Sequence, residues 1–333
     1  MPDTIDRKLW LGFDLGGTKM LAQVYDDDFR LLGKARKKTK PALNAQDGID
    51  RIANVIDDAL AEAKVTADQL AGIGIGCPGP VDMEKGVVCD PPNLAWEDVP
   101  VRSMLEKRFP CKVAVLNDVD AGVYGEYRFG AGKLARCVIG IFSGTGIGGG
   151  CVYQGQIFTG KRRSCMEIGH IQVTPRGPLC GCGRRGCLEA LASRLAIAAN
   201  AAKCVYRGEA PKLKEIAGTD LLNIRSGAIA QAVKGGDDAI VRLVQEAARH
   251  IGIAVASIVH LMSPDVVVLG GGLTESLADL ICPIVEGEAR KRVMPAYTSE
   301  FRVVAASLGD DSGAMGAAGW AEHALGESVK TKV

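Results

Sequence analysis

Four side chains in one short stretch have the types and spacing of a metal centre. In HIQVTPRGPLCGCGRRGCLE, residues 170–189, His170, Cys180, Cys182 and Cys187 form the pattern H-x9-C-x-C-x4-C. One imidazole and three thiolates are ligands that zinc prefers, and together they fill a tetrahedral shell with no open position. A closed shell leaves no place for a metal-activated water, so the reading is a structural zinc and not a zinc hydrolase. Glycines at 181, 183 and 186 permit the tight turns that gather the thiolates, while Arg184 and Arg185 offset their charge. The competing reading, three buried free thiols, is disfavoured by the spacing and the glycine content. If one ring nitrogen of His170 binds the metal, the other keeps its proton and donates outward, its tautomer fixed. Glu167 and Glu189 bracket the cluster. Two carboxylates beside a fixed imidazole N–H suit a polyhydroxylated ligand, whose hydroxyls need acceptors as well as donors.

A second set of residues suits phosphate chemistry. Asp14-Leu15-Gly16-Gly17-Thr18-Lys19 ends one apolar strand and precedes the next. Its glycines let backbone N–H groups approach phosphate oxygens, Thr18 and Lys19 add donors, and Asp14 is placed to hold a hydrated Mg²⁺. Ser143-Gly144-Thr145-Gly146 offers a second cradle without the acid, since Phe142 stands where Asp14 would match, and Gly270-Gly271-Gly272 makes a third turn. The first two fit neither GxxxxGK[ST] nor a dinucleotide fingerprint. A hairpin turn is the ordinary reading of any one of them, but three together favour a nucleotide. VAVLNDVDAG then runs out of a buried strand into Asn117-Asp118. A carboxylate at the carboxyl end of a strand lies where α/β proteins bind ligands. Asp118 is either a helix N-cap or the general base for a substrate hydroxyl in phosphoryl transfer. Asp120 reads as a solvated or supporting group.

The elements that must position these residues alternate between strand and helix. KLWLGFDLGG, MLAQVYD and FRLLGKARKK read as strands, and Ile49, Ile52, Ile56 and Leu60 mark an amphipathic helix that covers them. LAGIGIG and CKVAVLND are further strands. The opening rhythm then returns: residues 10–25 lie over residues 138–153 without a gap, a shift of 128, as in a duplicated unit. Beyond the cysteines, Leu243, Ala247, Ile251, Ala254, Ile258 and Leu261 mark one face of a helix that ends at Pro264. DVVVLGGG and FRVVAAS are strands, and a small-residue helix runs from Ser312 to about Leu325. The pattern is α/β.

The 333 residues suggest two domains, and 47% hydrophobic residues provide a substantial core. A net charge of +1 advertises neither nucleic acid nor membrane. There is no signal-like segment at residues 1–7, and eleven cysteines, an odd and scattered count, suit reduced thiols in a cytoplasmic protein.

Taken in order, DLGGTK (14–19), CPGPVD (77–82), LND (116–118), SGTGIGGG (143–150), EIGH (167–170), CGCGRRGCLE (180–189) and LGGG (269–272) resemble the ROK family, the repressors, open reading frames and kinases. The likeness runs from about Lys8 to Leu325. It implies the two-domain sugar kinase/actin-like ATPase fold, ribonuclease H-like, with a duplicated core and a zinc-binding loop over 170–187. A small lobe would comprise 1–118 plus 312–333, and a large lobe 119–311. The resemblance further implies Asp118 as catalytic base, with Gly79, Asn117, Glu167, His170 and Glu189 at the sugar. ATP phosphates would meet Asp14, Gly16, Gly17, Thr18, Lys19, Gly144, Thr145 and Gly146, with the nucleoside near Gly270, Gly271 and Gly272. Asp120 and Gly122 depart from the family's usual Asn and Ala.

Family repressors carry a helix-turn-helix ahead of the first strand, whereas about seven residues precede Lys8 here. The expectation is therefore a kinase. PPNLAWEDVP, residues 91–100, resembles the sugar-contacting loop of the family's glucokinases, with Trp96 either stacking on sugar or packing in the core. The expected reaction is ATP-dependent phosphorylation of a hexose 6-hydroxyl, glucose first. An N-acetylhexosamine kinase, a fructokinase and a non-catalytic sugar sensor are the alternatives, and polyphosphate is the alternative donor. The resemblance also favours a homodimer.

Overall fold

The apolar alternation of the first forty residues produces a three-stranded meander. In the computed structural model, which describes residues 8–17, 19–39, 44–91, 94, 96–161 and 165–330 with side chains through 326, β1 (Leu9–Leu15), β2 (Lys19–Tyr25) and β3 (Leu31–Lys38) pair antiparallel. Helix α1 (Ala45–Ala63) is capped by Asn44, whose side chain accepts the Asp47 N–H at 2.9 Å. Its predicted stripe of Ile49, Ile52, Ile56 and Leu60 is buried. Next come β4 (Leu70–Cys77), the short hairpin β5 (Val81–Asp82) and β6 (Val87–Val88), α2 (Val101–Arg108), β7 (Lys112–Asn117) and α3 (Asp118–Phe129). Because β4 runs parallel to both β1 and β7, the sheet order is β3-β2-β1-β4-β7.

The chain forms two compact units, the first comprising Met1–Phe129, Ile157–Cys165 and Asp310–Val333. Its last element, the helix Ser312–Lys330, lies directly on the sheet: a Cβ at Gly12 or Gly74 would overlap the backbone carbonyls of Ala314 and Ala317. Gly316 of the same helix abuts Ala121 and Gly125 of α3. That backbone-close packing holds α3 in the first unit, so the division falls after Phe129 and not after the expected 118.

The second unit, Gly130–Gln156 with Met166–Gly309, repeats the scheme. Strands β8 (Cys137–Ser143) and β9 (Ile147–Tyr153) coincide, residue for residue, with β1 and β2 shifted by 128. With β10 (Gln156–Ile157), β11 (Val266–Gly270) and β12 (Arg302–Ala305) they form a sheet of order β10-β9-β8-β11-β12. The repeat is not perfect in register. Leu11 faces Val24, whereas Ile139 faces Cys151, so the second hairpin turns one residue more tightly.

Helices α4 (Leu188–Ala192), α5 (Arg194–Tyr206), α6 (Pro211–Ala217), α7 (Ser226–Lys234), α8 (Asp238–Met262), α9 (Gly272–Ser276) and α10 (Ala278–Arg290) complete this unit. The stripe of α8 is wider than predicted and rotated: Ile240, Val244, Ala248, Val255 and Val259 join the buried face, while Leu261 is 79% exposed. All eleven cysteines are free thiols. Among the described residues no helix is long and apolar enough to cross a membrane.

Candidate active site

In the first unit the carboxyl ends of β1, β4 and β7 bring two acids together. Asp14 pairs in register with Gly76, and Cys77 with Asn117; the Asp118 Cα then packs 3.3 Å from where a Gly76 Cβ would lie. Asn117 caps α3, its Oδ1 accepting the N–H groups of Val119 (2.9 Å) and Asp120 (3.2 Å). The N-cap reading of Asp118 therefore gives way: Asp118 is the first residue of α3, and its Oδ1 accepts the Val119 N–H at 2.9 Å. The Asn117 Nδ2 donates to Gly79 O at 3.0 Å, which fixes the amide and leaves it one further N–H. Gly79 sits at φ +81°, with its Cβ position facing Pro91.

Burial pushes the Asp118 carboxyl up to about 7, and the charge of Asp14 adds to the shift. Asp14 itself is raised to about 6, again chiefly by burial, with Lys19 opposing. A half-buried, desolvated carboxyl pair favours a cation, and a carboxylate is a hard ligand of the kind Mg²⁺ takes. Cys77 lies buried beneath both acids, and its thiol is held far from ionisation. Asp120 is 2% exposed, which removes the solvated reading.

The first glycine turn closes on itself, the Gly16 N–H donating to Lys19 O at 2.9 Å and Gly16 O accepting the Thr39 hydroxyl at 2.7 Å. Gly17 is exposed at the tip, and Thr18 lies outside the described residues. Lys19 Nζ is 2.6 Å from Asp310 Oδ1, with Arg36 at 3.4 Å from the same carboxylate. Lys34 and Gln23 converge on Asp311 Oδ1 at 2.6 and 2.9 Å. Asp310 and Asp311, missed in the sequence, tie the start of the last helix to β2 and β3. Their only signal was an acid pair ahead of a small-residue helix. Trp96 is 4% exposed and packs against Gly48 of α1, so it belongs to the core and not to a sugar stack. Within its loop, residues 92, 93 and 95 lie outside the described residues.

In the second unit the predicted knot assembles. The ligand atoms of His170, Cys180, Cys182 and Cys187 lie within 4.8 Å of one another. With metal–sulfur bonds of about 2.3 Å, the corners of a tetrahedron stand about 3.8 Å apart. Cys182 and Cys187 Sγ are 3.7 Å apart, and Cys180 Sγ is 3.7 Å from His170 Nδ1. Donor set and spacing both fit zinc. Nδ1 faces the thiols, which frees Nε2 of an exposed imidazole for another partner.

The knot is a small hairpin closed by Cys180 N–H to Arg184 O at 2.8 Å and Gly186 N–H to Pro178 O at 2.9 Å. Gly183 and Gly186 are in the positive-φ region, whereas Gly181 is not, so two glycines and not three are required. Glu167 and His170 flank one turn, with the His170 N–H bonded to Glu167 O at 3.0 Å. Glu189 reaches two ways: Oε2 accepts the Ile147 N–H at 2.9 Å, and Oε1 lies 3.8 Å from Cys180 Sγ.

The second glycine turn is closed by Gly144 N–H to Gly146 O at 2.8 Å, leaving Thr145 exposed. Arg194, which sequence reasoning overlooked, donates from Nη2 to Thr145 Oγ1 at 2.9 Å. The third turn adjoins the second, since Gly271 packs on Ser143 with φ +103°, a conformation open to glycine alone. Gly270 packs against the Phe142 ring, and Gly272 begins α9.

The ROK family model matches residues 10–324 of this chain. A glucokinase from Thermotoga maritima is 33% identical over 317 residues, which cover 95% of this chain and 98% of that protein. Among solved structures, a ROK family glucokinase from Streptomyces griseus in complex with glucose and AMPPNP aligns with a TM-score of 0.83 at 32% identity, over 95% of this chain and 99% of that one. A ROK family transcriptional regulator, a homologue of the E. coli MLC protein, aligns with a TM-score of 0.86 at 25% identity, over 95% of this chain and 78% of its own.

Proposed function

This chain belongs to the ROK family, and we propose that it is a kinase transferring the γ-phosphoryl group of ATP to the 6-hydroxyl of a hexose, glucose first. The observation that carries this reading is the acid pair at the ends of β1 and β7, with the Asp118 carboxyl lifted to about 7. A base with that affinity for a proton is matched to work near neutral pH. Asp118 accepts the hydroxyl proton as the hexose oxygen bonds to the γ-phosphorus and the bond to ADP breaks. Asp14 would hold Mg²⁺ through water, and the ion supplies charge neutralisation on the phosphates. Lys19, Gly16, Gly17, Thr18, Gly144, Thr145 and Gly146 serve the phosphates, and Gly270–Gly272 the nucleoside.

The hexose hydroxyls are assigned to Asn117, Glu167, His170 and Glu189, with backbone at Gly79. Zinc on His170 and the three cysteines shapes that subsite and takes no part in the transfer. Its tautomer set by the metal on Nδ1, His170 donates from Nε2, while Glu167 and Glu189 accept. The setting proposed is cytoplasmic, where eleven unpaired cysteines stay reduced. The assembly proposed is a homodimer, for which light scattering should read about 70 kDa, twice 35.0 kDa.

The likeness to the transcriptional regulator favours one second reading, a sugar sensor without turnover. An assay of hexose phosphate formation over glucose, N-acetylglucosamine, N-acetylmannosamine, mannose and fructose, with ATP and with polyphosphate, separates them. Turnover fastest with glucose and ATP is expected. Hexose binding by calorimetry with no phosphoryl transfer from either donor would establish the sensor instead.

A further inference from the structure

Under the shift of 128 that relates the two hairpins, Lys19 falls on Ile147. The first turn brings its own cation, already engaged by Asp310 at 2.6 Å; the second brings none. A guanidinium reaches it from elsewhere in the same unit. Ser193 caps α5 by accepting the Ala196 N–H at 3.1 Å, which makes Arg194 the first helical residue. The Arg194 backbone N–H donates to Gly144 O at 3.1 Å, and its Nη2 donates to the Thr145 hydroxyl at 2.9 Å.

Two tethers hold this charge at the turn, and neither neutralises it. Among the described residues its side-chain partner is a neutral hydroxyl, and no carboxylate lies within ion-pair reach. Glu189, the nearest acid by sequence, spends one oxygen on the Ile147 N–H at 2.9 Å. Only one of the guanidinium's five N–H groups is used on Thr145. A half-buried, unneutralised guanidinium beside an exposed Thr145 suits an anion whose oxygens match its planar fork. The third turn adjoins this one through Gly271 against Ser143, so a nucleotide lying along both would present phosphates at Thr145.

We propose that Arg194 is a substrate-contacting residue that binds the terminal phosphates of the donor nucleotide, the charge that Ile147 leaves missing from the second turn. This assignment rests on the kinase reading above.

Calorimetry with AMPPNP and with adenosine, on the full chain carrying its metal, tests it with Arg194→Ala, Arg194→Gln and Arg194→Lys. Removing a charge-assisted hydrogen bond to phosphate should weaken AMPPNP on the order of tenfold or more. The Ala and Gln variants are expected to show that loss and the Lys variant to recover part of it, with adenosine and hexose affinities unchanged. Arg194→Gln retains a donor for Thr145, so wild-type AMPPNP affinity in that variant would reduce Arg194 to a brace and overturn the assignment. Equal losses for AMPPNP and adenosine would overturn it too, as would an unchanged Ala variant. A wild-type protein that binds neither ligand sinks the kinase reading itself, and this assignment with it.

Discussion

Asp118 can act as a base only when ionised, and burial beside Asp14 holds it protonated well above the range of an exposed carboxylate. The value of kcat/KM for the hexose should therefore rise about tenfold per pH unit just below about 7 and level off above it, as measured over a series of buffers at saturating ATP and Mg²⁺. Asp118→Asn should lower kcat by at least ~10²-fold and leave hexose affinity near wild type; full turnover would remove Asp118 from the mechanism. The same shifts bear on stability. Both carboxyls have folded values above the ordinary 3.8, so folding favours their protonated forms. That contribution is complete below 3.8 and is lost as pH rises through about 6 and 7. Asp14→Asn should accordingly raise the urea midpoint at pH 8 and flatten its decline with pH. The position of Asp118 at the carboxyl end of β7 was legible from its place after an apolar run. Its freedom from capping was not, because Asn117 and Asp118 are both good N-caps and only the backbone path into α3 chooses between them.

At the scale of elements, two devices hold the candidate residues, one in each unit. One is the knot hairpin, where the proposed metal ligation would be coupled to folding because a preformed tetrahedral site does not survive in an open loop. Cys180→Ser, checked by zinc content and by glucose calorimetry, is expected to lose the metal and weaken hexose binding while the sheets remain folded. Retained metal with unaltered affinity would reject the structural role. The other device is the glycine seam between the last helix and the sheet. A Cβ at Gly74 would meet the Ala317 carbonyl, and that backbone oxygen has little room to yield. Gly74→Ala should cost about 1–3 kcal/mol in urea unfolding, as overpacking does. The strands and α1 were visible in periodicity. The face of α8 was partly misread, since Ile240, Val244, Ala248, Val255 and Val259 supply a second apolar row beside the predicted one, and Leu261 ended up exposed.

For the whole molecule, the duplication organises two units with separate cores. Metal removal should therefore act unequally. After chelation, hydrogen exchange should quicken across residues 170–194 and the β8–β9 turn, which Glu189 links to the knot through the Ile147 N–H. Protection in β1, β4 and β7 should stay as before, because no ligand of the knot lies in that unit. Uniform loss of protection would mean that the metal supports the entire chain.

The sequence by itself determined the donor set of the knot, the acids at the strand ends, the glycine turns and the repeat at 128 residues. Each of these is written in the spacing of neighbours or in a period, and local backbone geometry converts such patterns directly into structure. The tertiary structure alone decided that Arg194 meets the second turn at Thr145, which residues secure the last helix and where the first unit ends. Gln23 and Asp311, hydrogen-bonded at 2.9 Å, stand 288 positions apart. Contacts of that kind depend on how folded surfaces meet through space, and no spacing along the chain encodes them.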